Sequence, residues 1–199
     1  ATAASMTMAG VKYDLTCADG KPLFSEAHPS KTKGTKFTQS NMFKAELSES
    51  IFDQMQEKMQ DFCDDDGNLL SVAPDTIIIP NNARMKRLVF SIIGSDLDPE
   101  TNNNAMNFQM GLWNVLIWPY MDKQIGDNDY FMMADSKFLQ DYMCLPFVDR
   151  VPLSVTHDID GNTHNHVFRG YARYAAGFNN WRGLAICGKG ISSGTVLTK

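Results

Sequence analysis

Two segments with helical periodicity lie on either side of a short, wholly apolar segment in the first half of the chain. In the first of them, apolar residues recur every three or four positions, which predicts an amphipathic helix of about four turns from Leu47. The segment ends in CDDDGN, where clustered acids disfavour a helix C-terminus and Gly67 can adopt a left-handed cap. The apolar face consists of Leu47, Ile51, Met55, Met59 and Phe62.

The apolar segment DTIIIP, residues 75–80, is bounded by prolines and predicts a buried strand. A second amphipathic helix is predicted directly after it, from Asn82 to a stop signal at Gly94. Residues 95–107 then form a long polar loop, and residues 111–188 have strand-like composition almost throughout. Helices early in the chain and strands late in the chain predict an α+β fold.

Composition limits the classes of partner. The 199 residues include 18 Lys and Arg against 23 Asp and Glu, which gives a formal net charge of -5. Such a chain repels a phosphate backbone unless its cations cluster, so nucleic acid is not the expected specific partner. No apolar run approaches the roughly 20 residues that span a bilayer. We therefore expect a soluble protein made in the cytoplasm and no membrane partner.

The four cysteines are isolated from one another and form no CxxC pair. This spacing predicts buried thiols in a reducing compartment rather than a zinc ribbon or a redox site. The residues are Cys17, Cys63, Cys144 and Cys187.

The dipeptide Asp160-Gly161 predicts a two-residue β-hairpin turn. In that register His157 falls opposite His164, Val155 falls opposite His166, and three histidines share one face. Three imidazoles can hold zinc and leave a position for water, so a metal-dependent hydrolase is one hypothesis. Histidines beside an exposed turn are more often solvated, and no HExxH signature accompanies them, so we expect no metal site.

The segment 168–183, FRGYARYAAGFNNWRG, is rich in aromatic residues, arginine and glycine. Strict alternation places Phe168 and Tyr174 on one apolar face and Arg169 and Arg173 on the other. The pattern fits a half-buried strand with a solvated arginine side, and it equally fits a protein interface, where arginine and tyrosine contribute strongly. Motifs of nucleophilic or phosphate-binding enzymes, such as GxSxG, GxxxxGK[ST] and GxGxxG, are absent. We therefore expect no enzyme and no cofactor.

Six segments follow one another along residues 17 to 188: PLFSEAHP, the helix ending in DDDGNLL, DTIIIPNNARMKRLVF, WNVLIWPY, FMMADSKF and FRGYARYAAGFNNWRG. In this order they resemble the major capsid proteins of tailed bacteriophages, in particular the Mu-like head-subunit branch. The resemblance implies the Johnson fold, in which an axial domain points to the capsomer centre and a peripheral domain forms its edge.

The resemblance also implies a division of the chain. Residues 1–44 lead from the peripheral to the axial domain, residues 45–150 form the axial domain, and residues 151–199 supply the hairpin and final strands of the peripheral domain. Relatives place an N-terminal arm, an extended loop and a spine helix before the segment that matches CADGKPLFS. This sequence has none of them, so we expect a subunit truncated at its N-terminus.

The function implied by the resemblance is a structural subunit of a tailed-phage or prophage icosahedral head, located in the virion capsid and made in the bacterial host cytoplasm. Its main partner would be itself, self-assembled in pentameric and hexameric capsomers. A scaffold or maturation protease and non-specific proximity to packaged DNA are further implied partners.

Two alternatives remain open at this point. The first is the hydrolase with a histidine cluster on the 151–178 hairpin, and the second is a host interaction module with no viral role. For the capsid function, we expect subunit contacts from the polar loop at the capsomer centre and from arginines at the edge. These residues are Asp98, Asn102, Asn103, Asn104, Arg169, Arg173 and Arg182.

Overall fold

The computed structural model describes residues 3–8, 10–32, 37–95, 106–121 and 130–191. Helices and strands are mixed, which confirms the α+β class. The described strands are β1 Ser5–Met8, β2 Val11–Asp14, β3 His28–Pro29, β4 Thr38–Gln39, β5 Met42–Phe43, β6 Thr76–Ile79, β7 Asn114–Ile117, β8 Tyr130–Ala134, β9 Phe147–Ile159, β10 His166–Ala176 and β11 Leu184–Gly188. The described helices are α1 Glu49–Gln60, α2 Ala83–Ile93 and α3 Ser136–Asp141.

A five-stranded sheet, here called the core sheet, has the strand order β5, β11, β8, β6, β7. β8 is antiparallel to both β11 and β6, whereas β11 is parallel to β5 and β6 is parallel to β7. Every residue of β8 and β11 is buried, because their sequences YFMMA and LAICG present apolar or small side chains on both faces. These two strands therefore lie in the middle of the hydrophobic core.

β11 brings the end of the described chain into the core sheet. The predicted division groups β11 with the hairpin, and in the structure β11 pairs with β5 and β8. Ile186 is the partner of Met42 on one side and of Met132 on the other. An apolar strand such as LAICG needs cover on both faces, and all five of its residues are buried in the core sheet.

α1 follows the N-cap Ser48, whose hydroxyl accepts a hydrogen bond from the backbone N–H of Ile51. The helix ends at Gln60, before the CDDDGN segment, and Gly67 adopts a φ of 92° in the turn that follows. The glycine is therefore left-handed as predicted, but it belongs to a separate turn and not to the helix cap. The predicted apolar face is buried at Met55 and Met59, and Phe52 beside it is buried as well.

α2 follows directly after β6, as predicted. The Asn82 side chain accepts a hydrogen bond from the backbone N–H of Arg84 and caps the first turn. Gly94 ends the helix with a φ of -107°, outside the left-handed region. Its buried face consists of Met85, Val89, Ile92 and Ile93. None of the described helices has the length and apolar character that crossing a membrane demands.

α3 was not predicted, because sequence analysis expected strands through this part of the chain. Asp135 caps the helix, and its carboxylate accepts hydrogen bonds of 2.8 Å from the backbone N–H groups of Phe138 and Ala73. An aspartate before a polar, helix-compatible run is an ordinary start signal and could have indicated the helix.

The N-terminal part of the chain forms two small two-stranded sheets, β1 with β2 and β3 with β4. The candidate strand VKYDLTC is confirmed over Val11–Asp14. Only His28–Pro29 of the candidate strand PLFSEAHP is paired.

The cysteines are free thiols, and all except the half-buried Cys63 are buried, which agrees with the prediction. Burial raises the pKa of Cys17 to about 12 and the pKa values of Cys144 and Cys187 to about 11. Thiols that stay protonated at neutral pH are poor nucleophiles, so these three residues fill space in the core.

Candidate subunit interface

β9 and β10 form a long antiparallel ribbon that pairs with no other described strand. β9 has 13 residues and β10 has 11, about twice the usual length of a strand. Val151 and Val167 are half-buried, and every other residue of the two strands is exposed. An isolated two-stranded hairpin is only marginally stable in water, and no other described part of the chain forms a covering layer on this ribbon.

Large apolar side chains are exposed along the ribbon. The exposed fraction is 73% for Leu153, 70% for Phe168 and 68% for Tyr174. The Phe147 and Tyr174 rings stack at a centroid distance of 5.5 Å and extend the apolar surface toward the end remote from the loop. A contiguous exposed apolar surface on a folded chain marks an interaction site.

The register of the ribbon differs from the prediction. His157 faces Phe168 instead of His164, and His166 faces Ile159 instead of Val155. The connection is therefore a six-residue loop, residues 160–165, and not a two-residue turn at Asp160-Gly161.

Side-chain hydrogen bonds explain the wider loop. The Asp160 carboxylate accepts hydrogen bonds from the backbone N–H of Asn162 at 3.1 Å and from the Thr163 hydroxyl at 2.7 Å. The backbone N–H of His164 donates to the Asp160 carbonyl at 2.8 Å, and His164 takes a φ of 54°. An aspartate that binds the next turn of backbone favours a local loop over the tight hairpin turn.

The new register separates the three histidines. The His157 and His166 rings meet across the ribbon, whereas His164 lies in the loop. Within the part of the chain that the structure describes, no group of three or more His, Cys, Asp or Glu side chains could hold a metal ion. Two cavities of about 250 and 240 Å³ lie elsewhere, beside Arg182 and Phe62, and no histidine lines either one. The three histidines therefore do not form the single metal site that the hydrolase hypothesis requires.

The strict alternation predicted for residues 168–176 is wrong over part of its length. The pairing has irregularities between Tyr171 and Arg173 and again between Arg173 and Tyr174, where β9 contributes extra residues. Neither side of β10 is buried, so the ribbon is not the half-buried strand that one interpretation expected.

The three predicted contact arginines lie in different surroundings. Arg169 is exposed and reaches Asp158 at 3.7 Å, and Arg173 is exposed between the two irregularities. Arg182 is engaged within the subunit, because its guanidinium lies 2.8 Å from an Asp65 carboxylate oxygen and its side chain is only 15% exposed.

Arg182 also donates through Nε to the Cys63 carbonyl at 2.8 Å and lies 4.8 Å above the centre of the Trp181 ring. It thus ties the turn after α1 to the segment that leads into β11. This arginine stabilises the junction of these two parts of the chain.

His28 forms a buried junction to which sequence analysis assigned no role. Its Nδ1 lies 2.5 Å from an Asp19 carboxylate oxygen, its Nε2 lies 3.1 Å from Asn41 Oδ1, and its ring stacks on Trp181 at 4.1 Å. Asn41 in turn donates to the Leu184 carbonyl at 3.1 Å, which links the entry segment to β11. Burial lowers the pKa of His28, although the contact with Asp19 acts in the opposite direction.

A second exposed apolar surface lies at the edge of the core sheet. β7 pairs with β6 on one side, and no described strand pairs with its other side. An open strand edge presents unpaired N–H and C=O groups to a partner. We call the residues around it the edge surface: Met106, Phe108, Met110, Leu112, Leu116, Ile117, Trp118 and Tyr120, all of them exposed.

Comparison with known proteins decides between the remaining functions. A model of the phage capsid protein family matches residues 1–187 of the chain. The chain belongs to the phage capsid protein family. The predicted capsid structural protein, located in the virion capsid and not an enzyme, is therefore confirmed. The hydrolase hypothesis and the host interaction module are not supported.

A solved structure from Mycobacterium phage Patience is similar to this capsid protein with a TM-score of 0.47 and 13% sequence identity. The alignment covers 92% of this chain and 54% of that chain, so this chain spans about half the length of the structure it matches. A comparison with curated proteins gives no match.

The contacts predicted in the polar loop are Asp98, Asn102, Asn103 and Asn104, and all four lie outside the described residues. They stay predictions. The edge surface follows this loop directly along the capsid chain, and sequence analysis did not assign it a role. The alternating run of exposed apolar residues from Met106 to Leu112 was the signal that could have indicated it.

Proposed function

We propose that the ribbon is a contact surface between copies of this capsid protein, and that copies join head-to-tail in the pentameric and hexameric capsomers of an icosahedral head. The observation that supports the proposal is the exposure of a long apolar ribbon on both of its sides. In a phage capsid, neighbouring copies of the protein would cover such a surface.

Burial of the large side chains of the ribbon would contribute most of the free energy of the proposed contact. Full burial of an aromatic or branched aliphatic side chain contributes roughly 1.5–3 kcal/mol before the entropic costs of association are subtracted. Leu153, Phe168 and Tyr174 each leave more than two thirds of their surface exposed in the free subunit. Their burial against a neighbour would favour association and would also supply the ribbon with a covering layer.

Closed rings require two different surfaces on each copy. A head-to-tail contact joins one patch to a distinct patch, and the rotation closes a ring of five or six subunits. The ribbon is the first patch, and the edge surface around β7 is the second. Its open strand edge and exposed Leu116, Trp118 and Tyr120 suit it to receive an apolar element from a neighbour.

The arginines take different parts in this proposal. Arg169 and Arg173 are exposed on the ribbon beside Tyr171 and Tyr174, a combination that is enriched at protein interfaces. Arg182 has little free surface, because Asp65 and the Cys63 carbonyl already occupy its guanidinium. Its proposed contribution is to stabilise the subunit itself, a few residues after the end of β10.

We further propose the finer features that the sequence resemblance implies. These are the Mu-like branch and the Johnson fold with an axial domain in residues 45–150, to which we would add β11 because it lies in the core sheet. A scaffold or maturation protease and proximity to packaged DNA complete the proposal. The net charge of -5 is compatible with DNA that is enclosed without tight binding.

The proposal can be tested by particle formation. The full-length protein would be expressed with the paired substitution Leu153→Asp and Phe168→Asp, and the lysate would be examined by sedimentation and electron microscopy. We expect a folded subunit that forms no shells, because two buried carboxylates would be unpaired in the contact.

Leu69→Asp is the matched control, because Leu69 is also 67% exposed but lies in the turn after α1. The control protein should form particles like the unaltered protein. Normal shells from the ribbon variant would contradict the proposed contact, whereas an unfolded subunit by circular dichroism would show that the ribbon supports the fold of the single chain.

A further inference from the structure

Two imidazole rings meet across the ribbon next to its loop. Nε2 of His157 lies 2.7 Å from Nδ1 of His166, the ring centroids are 4.9 Å apart, and the rings are within 20° of parallel. Two ring nitrogens at this distance cannot both carry hydrogen, so at least one of them presents a lone pair to the other. The pair thus brings two potential metal ligands together.

The separation of these nitrogens is close to that of two ligands on one metal ion. An imidazole nitrogen binds a first-row metal at about 2.0–2.1 Å, so two nitrogens at a right angle lie roughly 2.9 Å apart. The observed 2.7 Å differs from that value by about 0.2 Å. Because both side chains are exposed, their rings can turn so that both lone pairs point at one ion.

The backbone keeps the two histidines together. His157 faces Phe168 and His166 faces Ile159 in the antiparallel ladder, so the histidines are diagonal neighbours on one face. The Phe168 ring lies 4.9 Å from the His157 ring and limits its movement on one side. Cross-strand hydrogen bonds therefore order the two ligands before any ion binds, which lowers the entropic cost of chelation.

We propose that His157 and His166 form a two-histidine chelating site for a divalent transition-metal ion at the loop end of the ribbon. Imidazole ligands and the general order of divalent metal affinities favour Cu²⁺ over Ni²⁺ and Zn²⁺. Water fills the remaining coordination positions, since the described residues offer no third His, Cys, Asp or Glu ligand. The ion links β9 to β10 and resists opening of the ribbon at its loop. The inference concerns the free subunit and rests on the geometry of the two rings.

The test is a titration of the purified chain with Cu²⁺ alone at neutral pH, followed by calorimetry and electron paramagnetic resonance. We expect one ion per chain with two nitrogen ligands. His157→Gln and His166→Gln should each weaken binding on the order of tenfold or more.

His164→Gln is the matched control, since His164 is an exposed histidine in the loop between the same strands. It should bind Cu²⁺ like the unaltered chain, and His28 is buried and takes no part. Equal affinity in all three variants, or a resonance spectrum with a single nitrogen ligand, would overturn the proposal. The spectrum of the unaltered chain counts the ligands directly, so the test does not depend on how the variants fold.

Discussion

β8 and the ribbon are both strands with large apolar side chains, yet their surroundings are opposite. All five residues of β8 are buried between β11 and β6, whereas Phe147, Leu153 and Phe168 on the ribbon are each more than 60% exposed. An apolar strand needs cover, but its composition does not say whether the cover comes from the same chain. β8 obtains it within the subunit, and we propose that the ribbon obtains it from another copy.

The largest expected difference between the two regions is in stability. Phe52→Ala removes a fully buried ring that packs on Trp113 and Phe131, so we expect a loss of about 3–5 kcal/mol in the free energy of unfolding. Phe168→Ala on the ribbon should change it by less than about 0.5 kcal/mol in the unassembled chain. Urea unfolding monitored by circular dichroism measures both values. A loss above about 1 kcal/mol for Phe168→Ala would break the comparison, because the ribbon would then pack within its own subunit.

Two arginines should also differ in how much they contribute to the free energy of unfolding, although by less than the two phenylalanines. Arg182→Ala removes the ion pair with Asp65 and the hydrogen bond to the Cys63 carbonyl, for an expected loss of about 1.5–3 kcal/mol. Arg169→Ala removes only an exposed contact of 3.7 Å with Asp158 and should cost less than about 0.5 kcal/mol. Equal losses in the same unfolding assay would contradict the conclusion that Arg182 is engaged within the subunit whereas Arg169 lies on its surface.

The smallest expected effect is a dependence of stability on pH that originates in the core. Burial lowers the pKa of His28 below the value of about 6.5 that an unfolded chain has, so the unfolded state binds more protons as the pH falls. The free energy of unfolding should therefore decrease as the pH falls through about 6.5 toward 5. His28→Gln should flatten this dependence, and His164→Gln in the loop of the ribbon should retain it. Stability that rises on acidification would mean that the contact with Asp19 outweighs burial.

Local sequence signals predicted the elements whose partners are close along the chain. The apolar faces of α1 and α2 and the TIII strand all follow from spacing over a few residues. The strand order of the core sheet does not, because β11 reaches β5 across more than 140 positions of sequence. Contacts of that separation depend on which apolar surfaces remain open after the local elements have formed.

The candidate interface was predicted in part. The arginine- and tyrosine-rich segment was selected from composition, and the family match confirmed the capsid function. The register was wrong because Asp160 and Thr163 side chains stabilise a six-residue loop that a dipeptide rule does not anticipate. Exposure of both ribbon sides could not be inferred from alternation, since the same pattern fits a strand covered by its own chain.

The central claim is that the ribbon is exposed in the free subunit and covered in the shell. Hydroxyl-radical footprinting of assembled particles and of dissociated subunits measures the solvent access of the Phe168, Tyr171 and Tyr174 side chains directly, with buried Phe52 as the internal reference. The account predicts that oxidation of the three ribbon residues falls severalfold on assembly while Phe52 stays unlabelled in both states. Equal labelling of the ribbon in particles and in free subunits would contradict the claim.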